Sequence, residues 1–288
     1  MRKQSHWAVG IYSGDSPLTL RSPDGLLNPV LTAQAVRDVP AAFIADPFMV
    51  RHDNLWYLLC EVMNRETGRG EIGVATSTDG LAWEYQGTVL REPFHLSYPH
   101  LYRLGSTWYM IPETVWDGRV RLYRTDRFPF DWKPVATLLE GTFADPTMFH
   151  YEDRWWMFAC TNPAQHDTLC LFHTADPFGG WEPHPANPIV SSDARIARPA
   201  GKIVTLNGRL LRFAQDCTPQ YGSSVRAFEV AQLSTRAYAE HESQESPILK
   251  PGETWNSTGM HHIDAHKVDS PNGGQEKWVA CVDGYRFS

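Results

Sequence analysis

Five copies of one short pattern divide this sequence, and they leave few folds open to it. An apolar-polar-Pro segment opens each repeat: Ala45-Asp46-Pro47-Phe48, Ser97-Tyr98-Pro99-His100, Ala144-Asp145-Pro146-Thr147 and Ala197-Arg198-Pro199-Ala200, with a degenerate copy at Ile263-Asp264-Ala265-His266. A β-rich, mostly aromatic run follows each one: Leu55-Trp56-Tyr57-Leu58, Thr107-Trp108-Tyr109-Met110, Arg154-Trp155-Trp156-Met157, Arg209-Leu210-Leu211-Arg212 and Lys277-Trp278-Val279-Ala280. Between them lie the polar turns His52-Asp53-Asn54, Leu104-Gly105-Ser106, Glu152-Asp153, Leu206-Asn207-Gly208 and Asn272-Gly273-Gly274. Two β-rich runs around such a turn read as a hairpin. A second strand pair, such as residues 71–76 with residues 88–90, completes each repeat.

The repeats recur at intervals of 52, 47, 53 and 66 residues, close to the roughly 40–50 residues of a four-stranded propeller blade. After Asp264 only one hairpin remains before Ser288, and its missing strands stand at the other end of the chain. Residues 7–15 resemble residues 73–79, and Asn28-Pro29-Val30-Leu31 matches the endings of the other repeats. No sustained apolar pattern of helical period is present. The predicted fold class is all-β: a five-bladed β-propeller, one domain over residues 1–288, with its last blade closed by both termini.

Composition narrows the function classes. Twenty-six basic against thirty-three acidic side chains give a net charge of −7. A nucleic-acid partner needs a cationic face, so none is expected. No apolar run approaches the ~18 residues of a membrane span, so no integral membrane segment is expected. The basic start Met1-Arg2-Lys3 is not followed by the apolar stretch of a signal peptide. Five cysteines are widely spaced without a CxxC, which fits neither a disulfide framework nor a zinc site. These features lead to the expectation of a reduced, cytoplasmic protein. Glycine-rich nucleotide motifs and a GxSxG elbow are absent, and no cofactor or metal is expected.

The start of a hairpin's first strand and the end of its second share one rim. Asp46 and Glu61, Tyr98 and Glu113, Asp145 and Thr161, Arg198 and Asp216, and Asp264 and Asp283 are each centred on a predicted turn, so they should ring one mouth of the channel. Seven of these ten are carboxylates, whereas acids make up only 33 of 288 residues. Crowded carboxyls raise some pKa values and leave others ionised, which is how acid and base roles separate. An Asp before Pro also serves simply to accept backbone N–H groups at a turn, and that ordinary role is about as probable for any single Asp. It does not account for Glu61 and Glu113 at strand ends. Asp283, near the C-terminus, is assigned to structure. His262, Asp264 and His266 are predicted to share one strand face and His261 the other. A metal site there ranks below sugar binding or proton shuttling. Trp116, in a rim loop, is placed for stacking on a sugar.

With Ala45-Asp46-Pro47-Phe48, Ser97-Tyr98-Pro99, Pro112-Glu113 and Ala144-Asp145-Pro146 in five repeats, the chain resembles the five-bladed propeller glycosidases of the invertase, levansucrase, arabinanase and β-xylosidase superfamily. More closely, it resembles the propeller domain at the N-terminus of plant glucosamine inositolphosphorylceramide transferases and its stand-alone bacterial relatives. The resemblance implies that Asp46 is nucleophile or general base and that Asp145 orients substrate and tunes pKa. The glycosidases usually take their acid from an inner-strand Glu. Here Tyr98, Arg198 and Asp264 fill those slots, and Glu113 is the substitute acid. Glu61, Tyr98, Trp116, Arg198, His262 and Asp264 complete the expected pocket for a furanoside or short glycan. The alternative is a non-catalytic propeller that binds a glycan or glycolipid headgroup beside a transferase; a protein-binding scaffold ranks lower.

Overall fold

The computed structural model describes residues 5–268 and 277–288. Strand β1 (Ser5–Gly14) comes first but belongs to the last blade. Blade one is β2 (Ala41–His52), β3 (Leu55–Asn64), β4 (Arg69–Ser77) and β5 (Glu84–Leu90), hydrogen-bonded in that order. Blade two follows as β6 (Ser97–Leu104), β7 (Thr107–Glu113), β8 (Arg119–Thr125) and β9 (Lys133–Glu140). Blade three is β10 (Ala144–Tyr151), β11 (Arg154–Cys160), β12 (Leu169–Thr174) and the short β13 (Glu182–Pro183). In blade four the inner strand is split into β14 (Arg198–Pro199) and β15 (Val204–Leu206), both paired to β16 (Arg209–Asp216), then β17 (Ser224–Leu233) and β18 (Tyr238–Glu242). The split falls at Gly201, whose φ of +138° brings the backbone against blade five: a Cβ there would meet the Ile263 carbonyl oxygen at 1.7 Å.

Blade five is β19 (Ile263–Val268) and β20 (Lys277–Phe287), with β1 as its third strand. Val9 then bonds residues 30 and 31 through Val30 N–H and Leu31 C=O, which supplies the outer edge. The all-β, five-bladed arrangement closed by both termini is thus as the repeats predict. The predicted turn at Asn272-Gly273-Gly274 lies outside the described residues.

The core sits between the blades. Five apolar clusters each bridge neighbours: Ile11 with Trp56, Leu59 with Trp108, Ile111 with Met157, Phe158 with Ala197, and Phe213 with Ile263 each share one. Trp56, Trp108, Trp156 and Trp278 are all buried. Truncating a buried aromatic of this size costs about 3–5 kcal/mol, so these recurring tryptophans do much to close the ring.

One local device repeats on the inner strands. Asp46, Tyr98 and Asp145 have φ of 51°, 47° and 50°. At each, the ladder slips by one residue, between Ala45 and Phe48, Ser97 and His100, and Ala144 and Thr147. A β-bulge re-aims the bulged residue, and a non-glycine residue in this region stores strain that the surroundings must hold in place. The pairing places Ala45 opposite Glu61 and Ser97 opposite Glu113. Blade five has no such slip, and Asp264 stays in the ladder opposite Cys281.

Candidate active site

The bulges turn backbone N–H groups into the mouth, and a chain of carboxylates receives them. Asp283 Oδ2 accepts the Asp46 amide (2.9 Å), Asp46 Oδ2 accepts the Tyr98 amide (3.2 Å), and Glu113 Oε2 accepts the Asp145 amide (3.1 Å). Each carboxylate therefore holds the strained residue of the next blade. The ordinary role of a turn carboxylate is present here, but it uses only part of each group.

Asp46 keeps Oδ1 buried without a hydrogen-bond partner. His261 Nε2 lies 3.6 Å from it, and His261 Nδ1 bonds Asp283 Oδ1 at 2.7 Å. Burial pushes Asp46 up to about 7, against the pull of the His261 ring. Burial opposes charge on His261 too, but Asp283 and Asp46 outweigh it and raise its pKa. The same ring holds Asp283 below the usual carboxylate range despite its burial. Because His261 favours the ionised form of Asp46, His261→Gln is expected to lift the Asp46 pKa. In any turnover that needs ionised Asp46, the acid limb of the pH–rate profile then moves to higher pH. An unmoved limb would separate His261 from Asp46.

On the next part of the rim, Arg198 gathers three neighbours. Its Nε donates to Asp145 Oδ2 (2.6 Å), its Nη2 to Glu113 Oε2 (3.1 Å), and its Nη1 lies 3.0 Å from His166 Nδ1. The guanidinium also rests over Tyr221, 5.1 Å from the ring centre. Gln215 adds a second donor to Asp145 Oδ2 at 2.8 Å. Burial pushes Asp145 up to about 7, with Arg198 opposing it.

Glu61 stands apart from that cation. Its Oε1 is buried with no hydrogen-bond partner, 3.4 Å from His95 Nε2. His95 Nδ1 accepts the Gly70 amide at 2.9 Å, so the neutral ring carries its proton on Nε2, facing Glu61. Gly70 is required there, because a Cβ would come 2.7 Å from Glu61 Oε1 and 2.2 Å from the Leu96 carbonyl oxygen. Burial lifts Glu61 well above the usual carboxylate range, and the charges of Asp46 and Glu113 add to it. Burial lowers His95 to about 4. Trp116 lies beside His95, ring centres 6.3 Å apart, and is 77% exposed. For any glycan taken at this mouth, Trp116→Ala should weaken binding two- to tenfold, matching about 0.5–1.5 kcal/mol for an aromatic contact, with no change in melting temperature. Calorimetric titration reads the first and thermal denaturation the second.

The structure thus brings Asp46, Glu61, Glu113, Asp145 and Arg198 to one mouth, with Trp116 on the rim. Three expected pocket residues lie elsewhere. The Tyr98 side chain runs inward, where its hydroxyl bonds Thr147 Oγ1 (2.6 Å) and accepts the Gly201 amide (2.8 Å). Tyr98 contributes its amide to the mouth, and its ring joins a plug with Phe48 (4.8 Å) and His262 (5.3 Å). His262 precedes β19, so strand alternation does not govern it. It is fully buried, neither ring nitrogen has a partner, and burial lowers it to about 4. Asp264, lacking a bulge, sits deeper: its Oδ2 accepts the Met49 amide (2.7 Å) and faces His266 (2.9 Å) and Lys202 (3.4 Å). Burial opposes its charge, but His266 and Lys202 hold its pKa far below the usual value.

His261 takes the position expected of His262, and Asp283 that of Asp264. Asp216 turns away to Arg226 (2.8 Å), leaving its neighbour Gln215 in the mouth. His95, His166 and Tyr221 carry no repeat signal, because each comes from a loop between strands. Asp46, His261 and Asp283 offer ligand atoms within 4.8 Å of one another. In this set His261 Nδ1 is bonded to Asp283 while Nε2 faces Asp46.

The matching family model is "Glucosamine inositolphosphorylceramide transferase 1, N-terminal", over residues 2–285. Curated relatives of that name from Oryza sativa subsp. japonica and Arabidopsis thaliana are 34% and 32% identical over 310 and 307 residues, covering 98% and 99% of this chain. The chain spans about two fifths of their length, 40% in each. Among solved structures, a thermostable family-43 glycoside hydrolase is similar at TM-score 0.62 and 15% identity, over 91% of this chain and 92% of that one. The catalytic domain of the Coprinopsis cinerea GH62 α-L-arabinofuranosidase is similar at TM-score 0.60 and 13% identity, over 97% of both. At such identities these neighbours share the fold alone. The match along almost the whole sequence goes further: this chain belongs to the family of the N-terminal region of glucosamine inositolphosphorylceramide transferase 1.

Proposed function

We propose that this chain acts on a glycoside at the propeller mouth, with Glu61 as proton donor and Asp46 as base or nucleophile. Two-carboxyl chemistry at a glycosidic bond needs one protonated and one ionised group. The observation that supports this pair is that Glu61 Oε1 and Asp46 Oδ1 are both buried and unpartnered. Glu113 and Asp145 are instead tied to Arg198. The acid role expected for Glu113 therefore passes to Glu61. Burial and neighbouring charge hold the Glu61 proton, whereas Asp46 faces a ring that favours its ionised form. Asp145, Glu113 and Arg198 orient sugar hydroxyls, and Trp116 stacks on the ring. The substrate of this reading is a furanoside or short glycan.

A second reading is a glycan- or headgroup-binding module. It is favoured by the 40% of the transferase-named relatives that this chain spans. The test is sugar release from aryl furanosides, aryl pyranosides and oligosaccharides, by the wild type, Asp46→Asn and Glu61→Gln. Release abolished in both folded variants supports the catalytic pair. No release from any substrate, with saturable glycan binding that survives Glu61→Gln, establishes the binding module instead.

A further inference from the structure

We propose that His95 is a positioning residue for the proton of Glu61: its Nε2–H holds Oε1, which leaves the transferable proton on Oε2. This deepens the proposed function and rests on its assignment of Glu61 as proton donor. His95 lies in the connector between blades one and two, residues 91–96, which is fastened to the start of β4 at three points. Arg69 Nη1 donates to the Pro93 carbonyl (2.6 Å), the Gly70 amide to His95 Nδ1 (2.9 Å), and the Leu96 amide to the Gly70 carbonyl (3.0 Å). Strand β4 in turn pairs with β3, Arg69 opposite Asn64 and Ile72 opposite Glu61. Glu61 and the anchor of His95 therefore stand on paired strands of one hairpin.

These contacts fix which nitrogen carries the proton. With Nδ1 accepting, a neutral imidazole has its single N–H on Nε2, the atom 3.4 Å from Glu61 Oε1. Burial lowers His95 to about 4, and Arg198 adds to that, so the ring is neutral at pH 7. A cation at this place would favour the carboxylate, whereas a neutral donor holds the group and leaves it protonated. The other titratable groups around Glu61 are the acids Asp46 on β2, Glu113 on β7, Asp145 on β10 and Asp283 on β20, with Cys60 before it on β3. Catalytic hydrogen bonds are often long without substrate and tighten when it binds. Trp116 lies beside His95 with ring planes 30° apart. A sugar stacked on that indole shuts water away from the His95–Glu61 contact, where it becomes stronger. In turnover the Oε2–H bond breaks, its electron pair stays on Glu61, and the proton joins the leaving oxygen. The Nε2–H contact to Oε1 remains and steadies the new carboxylate, and His95 neither gains nor loses a proton.

The test begins without substrate. Two-bond ¹H–¹⁵N correlations of the wild-type histidine rings should show His95 as the Nε2–H tautomer. The Glu61 carboxyl is followed by ¹³C NMR across pH, assigned by its loss in Glu61→Gln. In His95→Leu that titration should move up by roughly half to one pH unit, the effect of one lost hydrogen bond to the carboxylate. His95→Gln offers an oxygen to Gly70 and an N–H to Glu61, and should restore most of the wild-type value. In sugar release, His95→Leu should lower kcat roughly three- to tenfold with KM unchanged, move the alkaline limb to higher pH, and be rescued by His95→Gln. An Nδ1–H tautomer overturns the assignment and needs no variant, so it can be read even if the Leu protein does not fold. A Glu61 titration and alkaline limb that stay in place without the ring also overturn it, and sugar release with that outcome leaves the catalytic reading intact. A shifted titration in a protein that releases no sugar keeps the His95–Glu61 coupling and removes the catalytic reading.

Discussion

Arg198→Met is expected to lower the stability of the fold by about 3–5 kcal/mol at neutral pH, the usual cost of leaving buried charges without their partner. Asp145 and Glu113 are buried, and Arg198 is the cation bonded to both. Methionine fills much of the same space, so the loss reports the missing charge more than a cavity. The pH dependence identifies the cause. Burial already lifts Asp145 to about 7 with Arg198 present, and removing the cation lifts it further. A carboxyl whose folded pKa lies above its unfolded value of 3.8 adds stability that is complete below pH 3.8 and lost as pH rises through the folded pKa. The variant therefore loses more than the wild type between pH 5 and 8, and the deficit narrows on acidification. Chemical denaturation at both ends of that range measures it. A deficit independent of pH would assign the role of Arg198 to packing over Tyr221.

Glu61→Gln should reduce turnover by roughly 10²–10⁴-fold, the range for loss of a positioned proton donor. Glutamine mimics the protonated carboxyl, so the fold should survive. The Glu61 carboxyl is raised by burial, then by Asp46 and Glu113. Its contribution to stability is complete below the unfolded value of 4.5 and declines as pH rises through the folded pKa. The Gln variant lacks that decline and should be the more stable protein in alkaline buffer. In the turnover proposed above, ionisation of Asp46, pushed up to about 7 by burial, sets the acid limb, and loss of the Glu61 proton sets the alkaline limb. Glu61→Gln should erase the alkaline limb in whatever activity remains. Glu113→Gln should act differently, raising KM and lowering stability through the lost Arg198 contact. If Glu113→Gln instead removes kcat while Glu61→Gln leaves it intact, the proton donor is Glu113.

Local signals were enough for the architecture. A hairpin is written in the period of its apolar residues and in a turn a few residues long, both readable without knowing the rest of the fold. The closing strand could be found because residues 7–15 repeat a pattern present in the other blades. The acidic mouth was visible for the same reason, since strand ends lie a fixed number of residues from their turns. Asp46, Glu61, Glu113, Asp145 and Arg198 were all located this way.

What these groups do to one another depended on packing between blades. The bulges at Asp46, Tyr98 and Asp145 shift the ladder by one residue, and their backbone is held by carboxylates from neighbouring blades. No local pattern announces that hold. The unbulged ladder of blade five leaves Asp264 deep and brings Asp283 to the mouth. The reach of Arg198 to Asp145 and Glu113 spans 53 and 85 residues of sequence. Those two contacts separate the carboxylates tied to Arg198 from Glu61, which faces His95 instead. Residue types and their distance from a turn are properties of a strand. Which carboxyl stays protonated depends on the charges and burial around it, and those exist only once five blades have closed.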